Sequence, residues 1–597
     1  MADQPARDTI SRSLMLLDLS HHFSRASKKR IPNVLKEYYR FLRNPEMANF
    51  AGGLPYTGNF PFDALELSLV APQSLTTLNS QNRDMDSEGS GISRIRIPRT
   101  SVGERSQRTI DLDTSLQYGS SQGYPPLYAW LKKLVNTLYH PNIPYQGGAD
   151  VMICSGSADG LSKVYELLFN HWDEDVNRIR DREGLLVEEF VYAPPIAQLR
   201  PRDVNIVPVK MDMEGMLAYG PGGLLDVLEN WDSSRGKRPH AVYLIPTGQN
   251  PTSGVLSFPR RKDIYEICSR FDVIIIEDDP YWTLYYVSAN SNSIKHRGTP
   301  LSTNFPVDTH YNYCIQSLNG QSTGHRFLDS LVPSFLSIDV DGRVIRLDSF
   351  SKTIAPGLRL GWITAQPSIC EQLFRITDGT TQQPSGFVQA MVANLIGDFG
   401  KNAAGGSSAT STDGLSSGWG LEGWVNWLEG LRSTYERRMI TMATSLEKNR
   451  FLASESGEVE MFTFNWPLGG MFIWVQVKIL NHPLSSSIDP KRLMLALWNF
   501  CTQQPYRILA VPGGDFAAND SVKNAEGYQF LRFCFAAVEE GTLAAKSQLF
   551  PDACAKFWSI EDARRVDDIL QEEDLLASAN HTAEESAVLD REVIEDW

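Results

Sequence analysis

The sequence predicts an α/β protein: a large domain with a mostly parallel mixed sheet flanked by helices, and a smaller α+β domain behind it. Three observations carry this reading. Short apolar, β-branched runs recur at 151–154, 189–192, 206–209, 241–245, 273–276 and 344–347. Such continuous runs suit strands buried on both faces, as in a parallel sheet. Helical spacing falls between them, at 124–135, 160–168 and 260–270. After residue 418 the pattern changes to a long helical stretch, 420–446, followed by strand-like runs at 471–477, 509–512 and 530–535.

The flanking segments follow in order. Residues 1–50 read as an N-terminal arm with a helix at 32–41, contributing to the small domain. Residues 51–400 read as the large domain, opened by a Gly/Pro-punctuated entry at Ala51–Pro55, with 75–108 as a polar surface loop. A surface insertion is expected at 287–325, a Gly/Ser-rich linker at 401–418, the small domain at 419–557 and an acidic tail at 558–597. Of the net charge of −15, the stretch from Ile560 to Trp597 carries −10, from thirteen acidic residues against three arginines. An acidic chain does not suit nucleic acid, and the tail reads as a solvated extension.

Hydrophobic residues make up 42% and charged residues 21%, as in globular proteins. No apolar run approaches the ~18 residues needed to cross a bilayer. The N-terminus lacks the basic-then-apolar order of a signal peptide, so the cytoplasm is the expected location. The seven cysteines form no C-x-x-C pair, and no H-E-x-x-H occurs. Reduced core thiols, with no disulfide scaffold and no metal site, are expected.

The chemistry concentrates at predicted strand ends, where α/β sheets place ligands. The run from Arg346 to Trp362 is a strand followed by Ser349, Ser351, Lys352, a Pro356-Gly357 turn and Arg359. One lysine among small hydroxyls and a cation suits the aldehyde and phosphate of pyridoxal 5′-phosphate (PLP); a solvated lysine after a strand is the plain alternative. PLP also demands a carboxylate for its ring nitrogen and donors for its phenolic oxygen. The 273–276 run ends in Glu277, Asp278 and Asp279, then Tyr281. Asp278 suits the nitrogen and Tyr281 the oxygen, although an acidic turn would look the same. Asn250, in a polar turn before Pro251, offers a second donor, and Asn-Pro is also a common turn. Ser157 opens a strand-to-helix turn whose free N–H groups suit a phosphate. Tyr192 sits where a ring would stack on the cofactor, or simply in the core. Arg532 stands alone among apolar residues; a substrate carboxylate or a structural ion pair would satisfy it.

Taken in order, Ala51-Gly-Gly-Leu-Pro55, Leu116-Gln-Tyr118-Gly, Ser155-Gly-Ser157, Gly248-Gln-Asn250-Pro, Glu277-Asp278-Asp-Pro-Tyr281, Ser349-x-Ser351-Lys352 with Arg359, Gly470-Met-Phe-Ile-Trp and Arg532 resemble fold-type I PLP aminotransferases of class I/II. The resemblance covers about residues 30–550 and is strongest to fungal aromatic-amino-acid, 2-aminoadipate and kynurenine aminotransferases. It implies the PLP fold-type I architecture and Lys352 as the catalytic lysine that carries the cofactor and shuttles the proton. It implies Asp278 at the ring nitrogen, Asn250 and Tyr281 at the phenolic oxygen, and Tyr192 against the ring. Ser157, Ser349 and Arg359, with Ser351, would hold the phosphate. Arg532, Gly53 and Asn250 would contact the substrate. Tyr118 would reach the phosphate of a neighbouring subunit, implying a homodimer with shared sites. Ala158 departs from the pattern, since some relatives carry a polar donor there.

The implied reaction is ping-pong transamination from Phe, Tyr, Trp, kynurenine or 2-aminoadipate to a 2-oxo acid such as 2-oxoglutarate. A PLP-dependent β-lyase is the alternative. A transcription regulator with an aminotransferase-like domain would need a basic winged-helix module ahead of Ala51, and no recognition helix is evident there.

Overall fold

The computed structural model describes residues 16–571, apart from 73–91, 102–108, 144–147, 307–310, 314–321, 398–417, 455–456 and scattered positions between 34 and 52. Most of the expected 32–41 helix, nearly all of the 401–418 linker and the tail beyond 571 therefore lie outside the described residues.

Seventeen strands are described: β1 Ala64–Val70, β2 Ile92–Pro98, β3 Asp150–Cys154, β4 Gly184–Glu188, β5 Asn205–Val209, β6 Met211–Asp212, β7 Gly215–Met216, β8 Ala241–Leu244, β9 Ile274–Asp278, β10 Val344–Ser349, β11 Gly361–Ala365, β12 Phe451–Ser454, β13 Gly457–Glu460, β14 Phe462–Phe464, β15 Phe472–Val477, β16 Val511–Pro512 and β17 Phe530–Cys534. The central sheet has the order β3-β11-β10-β9-β8-β4-β5. The pairs from β10 to β5 are parallel, while β11 runs antiparallel to both β10 and β3. Every residue of β4, β8, β9, β10 and β11 is buried, which is why their sequences are largely apolar without alternation, with buried charges toward the ends of β4, β9 and β10. Helices such as Pro125–Tyr139, Ser157–Leu168 and Phe258–Arg270 cover the sheet.

Beyond the 29-residue helix Gly420–Lys448 lies an antiparallel sheet of order β14-β15-β17-β16. The helix Glu540–Trp558 packs on Gly420–Lys448, and the apolar core is continuous with that of the large sheet.

Several expectations shift. The strand expected at 189–192 is Gly184–Glu188 instead, because that stretch pairs on both sides, with β5 and β8. Tyr192 falls after it, at the N-cap of the helix Ala193–Leu199. The surface loop expected at 75–108 contains β2, which pairs with β1 and buries Ile95 and Ile97 while Arg94 and Arg96 face out. That period-2 alternation is a strand signal masked by the polar composition around it. The polar start of the 287–325 insertion is the helix Ser288–Arg297, with Ala289, Asn290 and Ser293 buried. Asn290 is satisfied there, its Nδ2 donating to Ser302 O and Phe305 O at 3.1 Å each. The start of the acidic tail is ordered too: residues 563–571 are helical and bury Val566 and Ile569 completely.

One charged cluster sits inside the large sheet's core. Arg346, fully buried on β10, donates from Nη1 to Glu277 on β9 (2.8 Å) and to Asp279 just beyond it (3.1 Å). Its Nε and Nη2 hold Asp348 at 3.0–3.2 Å, and Tyr139 OH donates to the same carboxylate at 2.8 Å. Burial pushes the Asp279 and Asp348 carboxyls up, and the Arg346 guanidinium pulls both back down. Removing one partner of such a cluster strands the others: Arg346→Met is expected to cost about 3–5 kcal/mol. A fall in the urea midpoint checks this, and Arg346→Lys, with a single ammonium, should restore only part of it.

Candidate active site

At the C-terminal ends of the parallel strands lies a cavity of about 400 Å³. β10 ends at Ser349, whose Oγ accepts from Ser351 N (3.0 Å) and so opens the single 3-10 turn Phe350–Lys352. Phe350 is buried against Trp362 and Trp424 and pins that turn, leaving Lys352 on the cavity wall. Burial holds the Lys352 ammonium below its usual range; Arg532 and Arg359 push the same way, and Cys534 opposes them. More of the amine is therefore uncharged at neutral pH than in a free lysine.

The next turn, Pro356–Leu358, delivers Arg359 in a left-handed conformation (φ 47°). Its Nη1 reaches Ser351 Oγ (3.3 Å) and its Nη2 reaches Ser155 O (3.4 Å). Gly156 is what admits it: its φ is +88°, and a Cβ there would collide with the Arg359 guanidinium. Ser157 is the first residue of the helix Ser157–Leu168, so that helix's unpaired N–H groups open on the same corner as Ser349, Ser351 and Arg359. Two hydroxyl side chains, a guanidinium and a helix N-terminus make an anion cradle.

Asp278 ends β9. One carboxyl oxygen accepts from Tyr243 OH at 2.7 Å, and the other is buried with no partner. Burial pushes this carboxyl up to about 7; the Tyr243 hydrogen bond opposes the rise, while Asp279 and Asp348 add to it. The neighbouring turn carries Asn250, whose Oδ1 accepts from Arg532 Nη1 at 2.7 Å, so its amide N–H groups are not spent on that contact. Gln249 braces this turn, donating to Glu188 (3.0 Å) and Phe190 O (2.6 Å). Tyr281 lies in the wall, edge-on to Phe472. Arg532, on β17, is held between Phe472 (4.3 Å) and Phe516 (4.6 Å), and its Nε is buried without an acceptor. Burial depresses its pKa, with an anionic partner still to come.

The structure thus brings Lys352, Ser157, Tyr192, Asn250, Asp278, Tyr281, Ser349, Ser351, Arg359 and Arg532 onto one cavity wall. Two expected residues are not there. Tyr118 is 56% exposed outside the cavity, and Gly53 is exposed, with nothing within 4 Å of a Cβ built on it. Sequence reasoning missed Tyr243, one residue of an apolar run; only the β8–β9 register, which pairs it with Ile276, puts it on the face of Asp278. It also missed Phe472, Phe516, Ile245 and Gln198.

The family model for aminotransferase class I and II matches residues 96–545. The chain belongs to this family. Among curated relatives of this aminotransferase, an L-tyrosine:2-oxoglutarate aminotransferase of Serpula lacrymans is 31% identical over 87% of each chain. An aromatic amino acid aminotransferase of Schizosaccharomyces pombe is 29% identical over 92% of this chain and 98% of its own. Among solved structures, the aminotransferase Aro8 of Candida albicans superimposes with a TM-score of 0.71 at 28% identity, over 91% of this chain and 99% of that one.

As a class I and II aminotransferase the chain is a PLP-dependent enzyme of fold-type I. The cavity fits that cofactor. The unpaired Asp278 oxygen matches a protonated ring nitrogen, the cradle matches a phosphate, and the unpaired Arg532 Nε matches a carboxylate. Among the described residues no helix is long and apolar enough to cross a membrane. Tyr243→Phe removes the hydrogen bond that holds the Asp278 carboxyl down. In cofactor-stripped protein its titration should move above about 7, read from the infrared carboxyl band that disappears in Asp278→Asn.

Proposed function

We propose that this aminotransferase moves the amino group of an aromatic amino acid (Phe, Tyr or Trp), or of kynurenine or 2-aminoadipate, to a 2-oxo acid such as 2-oxoglutarate in a ping-pong cycle. The observation that carries the substrate class is the 31% identity, over 87% of each chain, to a relative named for tyrosine and 2-oxoglutarate. A yeast aromatic amino acid aminotransferase and a bovine kynurenine/alpha-aminoadipate aminotransferase, 29% and 30% identical, extend the class in the same direction.

When bound, PLP supplies an aldehyde for amino groups and a ring that accepts electrons from the substrate's Cα bond. The residues do the rest. Lys352 attaches the cofactor and, once released by the incoming amine, takes the Cα proton at Nζ; its depressed pKa keeps that amine available as a base. Asp278 holds the ring nitrogen protonated. Asn250 and Tyr281 donate to the phenolic oxygen, and Tyr192 covers a ring face. Ser157, Ser349, Ser351 and Arg359 hold the phosphate. Arg532 takes the substrate α-carboxylate, oriented by Asn250 Oδ1 and by the two phenyl rings that sandwich it. Gly53 is a further substrate contact on the family resemblance alone, since in the single chain it is exposed and outside the cavity.

The exposed Tyr118 completes the phosphate site of a second copy, which makes the working enzyme a homodimer with shared sites. The six described cysteines are all free, which favours a reducing compartment, the cytoplasm.

Lys352→Ala should lower turnover by about 10²–10⁴-fold or more and remove the lysine-bound cofactor absorbance. A panel of amino donors with 2-oxoglutarate, read by the cofactor's spectral change, should rank the aromatic donors or 2-aminoadipate first. Release of pyruvate and ammonia without any acceptor would overturn transamination in favour of a β-lyase.

A further inference from the structure

The phosphate corner of the cavity contains one polar side chain that no role above uses. Gln198 stands on the last turn of the helix Ala193–Leu199, which Tyr192 caps, and it lines the cavity together with Ser157, Ala158 and Arg359. Its Nε2 donates to Ala158 O at 3.2 Å, across to the first turn of the helix Ser157–Leu168. Its Oε1 is buried and has no donor. An amide nitrogen carries two hydrogens, and Ala158 O takes only one. The side chain is thus held at the cradle with one N–H still to give.

Ala158, the second residue of that helix, lines the same wall and ends at a methyl group, so it offers an anion only its backbone. The other cradle side chains are partly occupied with each other. Ser349 Oγ donates to Ser351 Oγ (2.8 Å), and Arg359 is engaged by Ser351 Oγ, Pro356 O and Ser155 O. A phosphate dianion has more lone pairs than these groups can meet, and a further neutral donor costs nothing in cation–cation repulsion with Arg359.

We infer that Gln198 is a cofactor-phosphate ligand: its free amide N–H donates to the PLP phosphate beside Ala158. The hydrogen bond to Ala158 O fixes the amide against the helix start, so the phosphate is gripped by two helices, one through its N-terminus and the other through Gln198. The inference rests on the cofactor reading given above.

The test is cofactor affinity rather than turnover. The full chain, stripped of cofactor, is titrated with PLP and, separately, with pyridoxal, which has the aldehyde and ring but no phosphate. Binding is followed by the absorbance of the lysine-bound form. Gln198→Ala should weaken PLP about tenfold, the scale of one charge-assisted hydrogen bond. Gln198→Glu, of nearly the same shape but with a charge that repels phosphate, should weaken it more, and pyridoxal should bind both variants as it binds the wild type. Unchanged PLP affinity in both variants would overturn the inference. So would an equal loss for PLP and pyridoxal, which would mark Gln198 as structural. Arg359→Ala separates the two levels: if it also leaves the preference for PLP over pyridoxal intact, the cofactor reading of this corner fails as a whole. If it abolishes that preference while the Gln198 variants do not, only the role of Gln198 fails.

Discussion

Everything at the site depends on β9 and β10 ending side by side in a fixed register, and the Arg346 cluster enforces that register. Arg346 pairs with Glu277, and Leu347 with Asp278, across the parallel ladder. Because side chains alternate, Glu277, Asp279, Arg346 and Asp348 share one face of the sheet, while Asp278 shares the other with Leu347. Slipping the strands by one residue would swap these faces and bury Asp278 among the arginine's partners. A buried ion cluster is weak evidence for net stability, since dehydrating its charges costs as much as their attraction returns. It does penalise the wrong register heavily. The carboxylate proposed for the ring nitrogen and the lysine three residues past β10 are placed by an interaction that touches neither.

The cavity side also leaves polar atoms unpaired: one Asp278 oxygen and, from β17 of the small sheet, the Arg532 Nε are both buried without a partner. An unmade hydrogen bond in a buried place costs about 1–3 kcal/mol, and at these two atoms, which line the cavity, a ligand would recover it. Each has one firm protein contact, Tyr243 for Asp278 and Asn250 for Arg532, which aims the free atom without satisfying it. The site is therefore organised before any ligand arrives, and binding returns what folding left unpaid.

How much of this was legible follows from what each signal depends on. The apolar runs gave the central strands to within a few residues, because strands buried on both faces are largely apolar, and the few charges they bury, as on β9 and β10, are paired. The same signal failed at 189–192, where pairing with β5 and β8, not composition, decides where the strand stops. It failed again at β2, whose alternating arginines and isoleucines are outnumbered by polar neighbours in a window-wide view. Lys352, Asp278, Asn250 and Arg532 were legible because each is a polar residue abruptly ending or interrupting an apolar run. Tyr243 and Gln198 were not. A tyrosine inside a buried strand and a glutamine on a short helix look ordinary until the facing element is known. Tyr118 and Gly53 were read from the family resemblance rather than from their own surroundings, and in the single chain both lie outside the cavity.

The last link is how the small sheet finds the large one, since Arg532 is on β17 and Asn250 belongs to the turn that follows β8, inside the large sheet. Gly248 and Gly470, read in the sequence as members of two separate motifs, meet backbone to backbone: a Cβ on Gly248 would land on the Gly470 main chain, and both have positive φ. Gly470 N donates to Leu284 O (2.9 Å), Tyr286 OH donates to Gly470 O (2.6 Å), and Ser253 Oγ donates to Phe472 O (2.5 Å). The turn that carries Asn250 is thus stapled to the strand that carries Phe472, and β15 in turn pairs Trp474 with Arg532. A side chain at either glycine would open the gap between these two elements, and with it the 2.7 Å contact that aims Arg532. The glycines are needed for closeness as much as for their backbone angles, and that closeness makes one cavity out of two sheets.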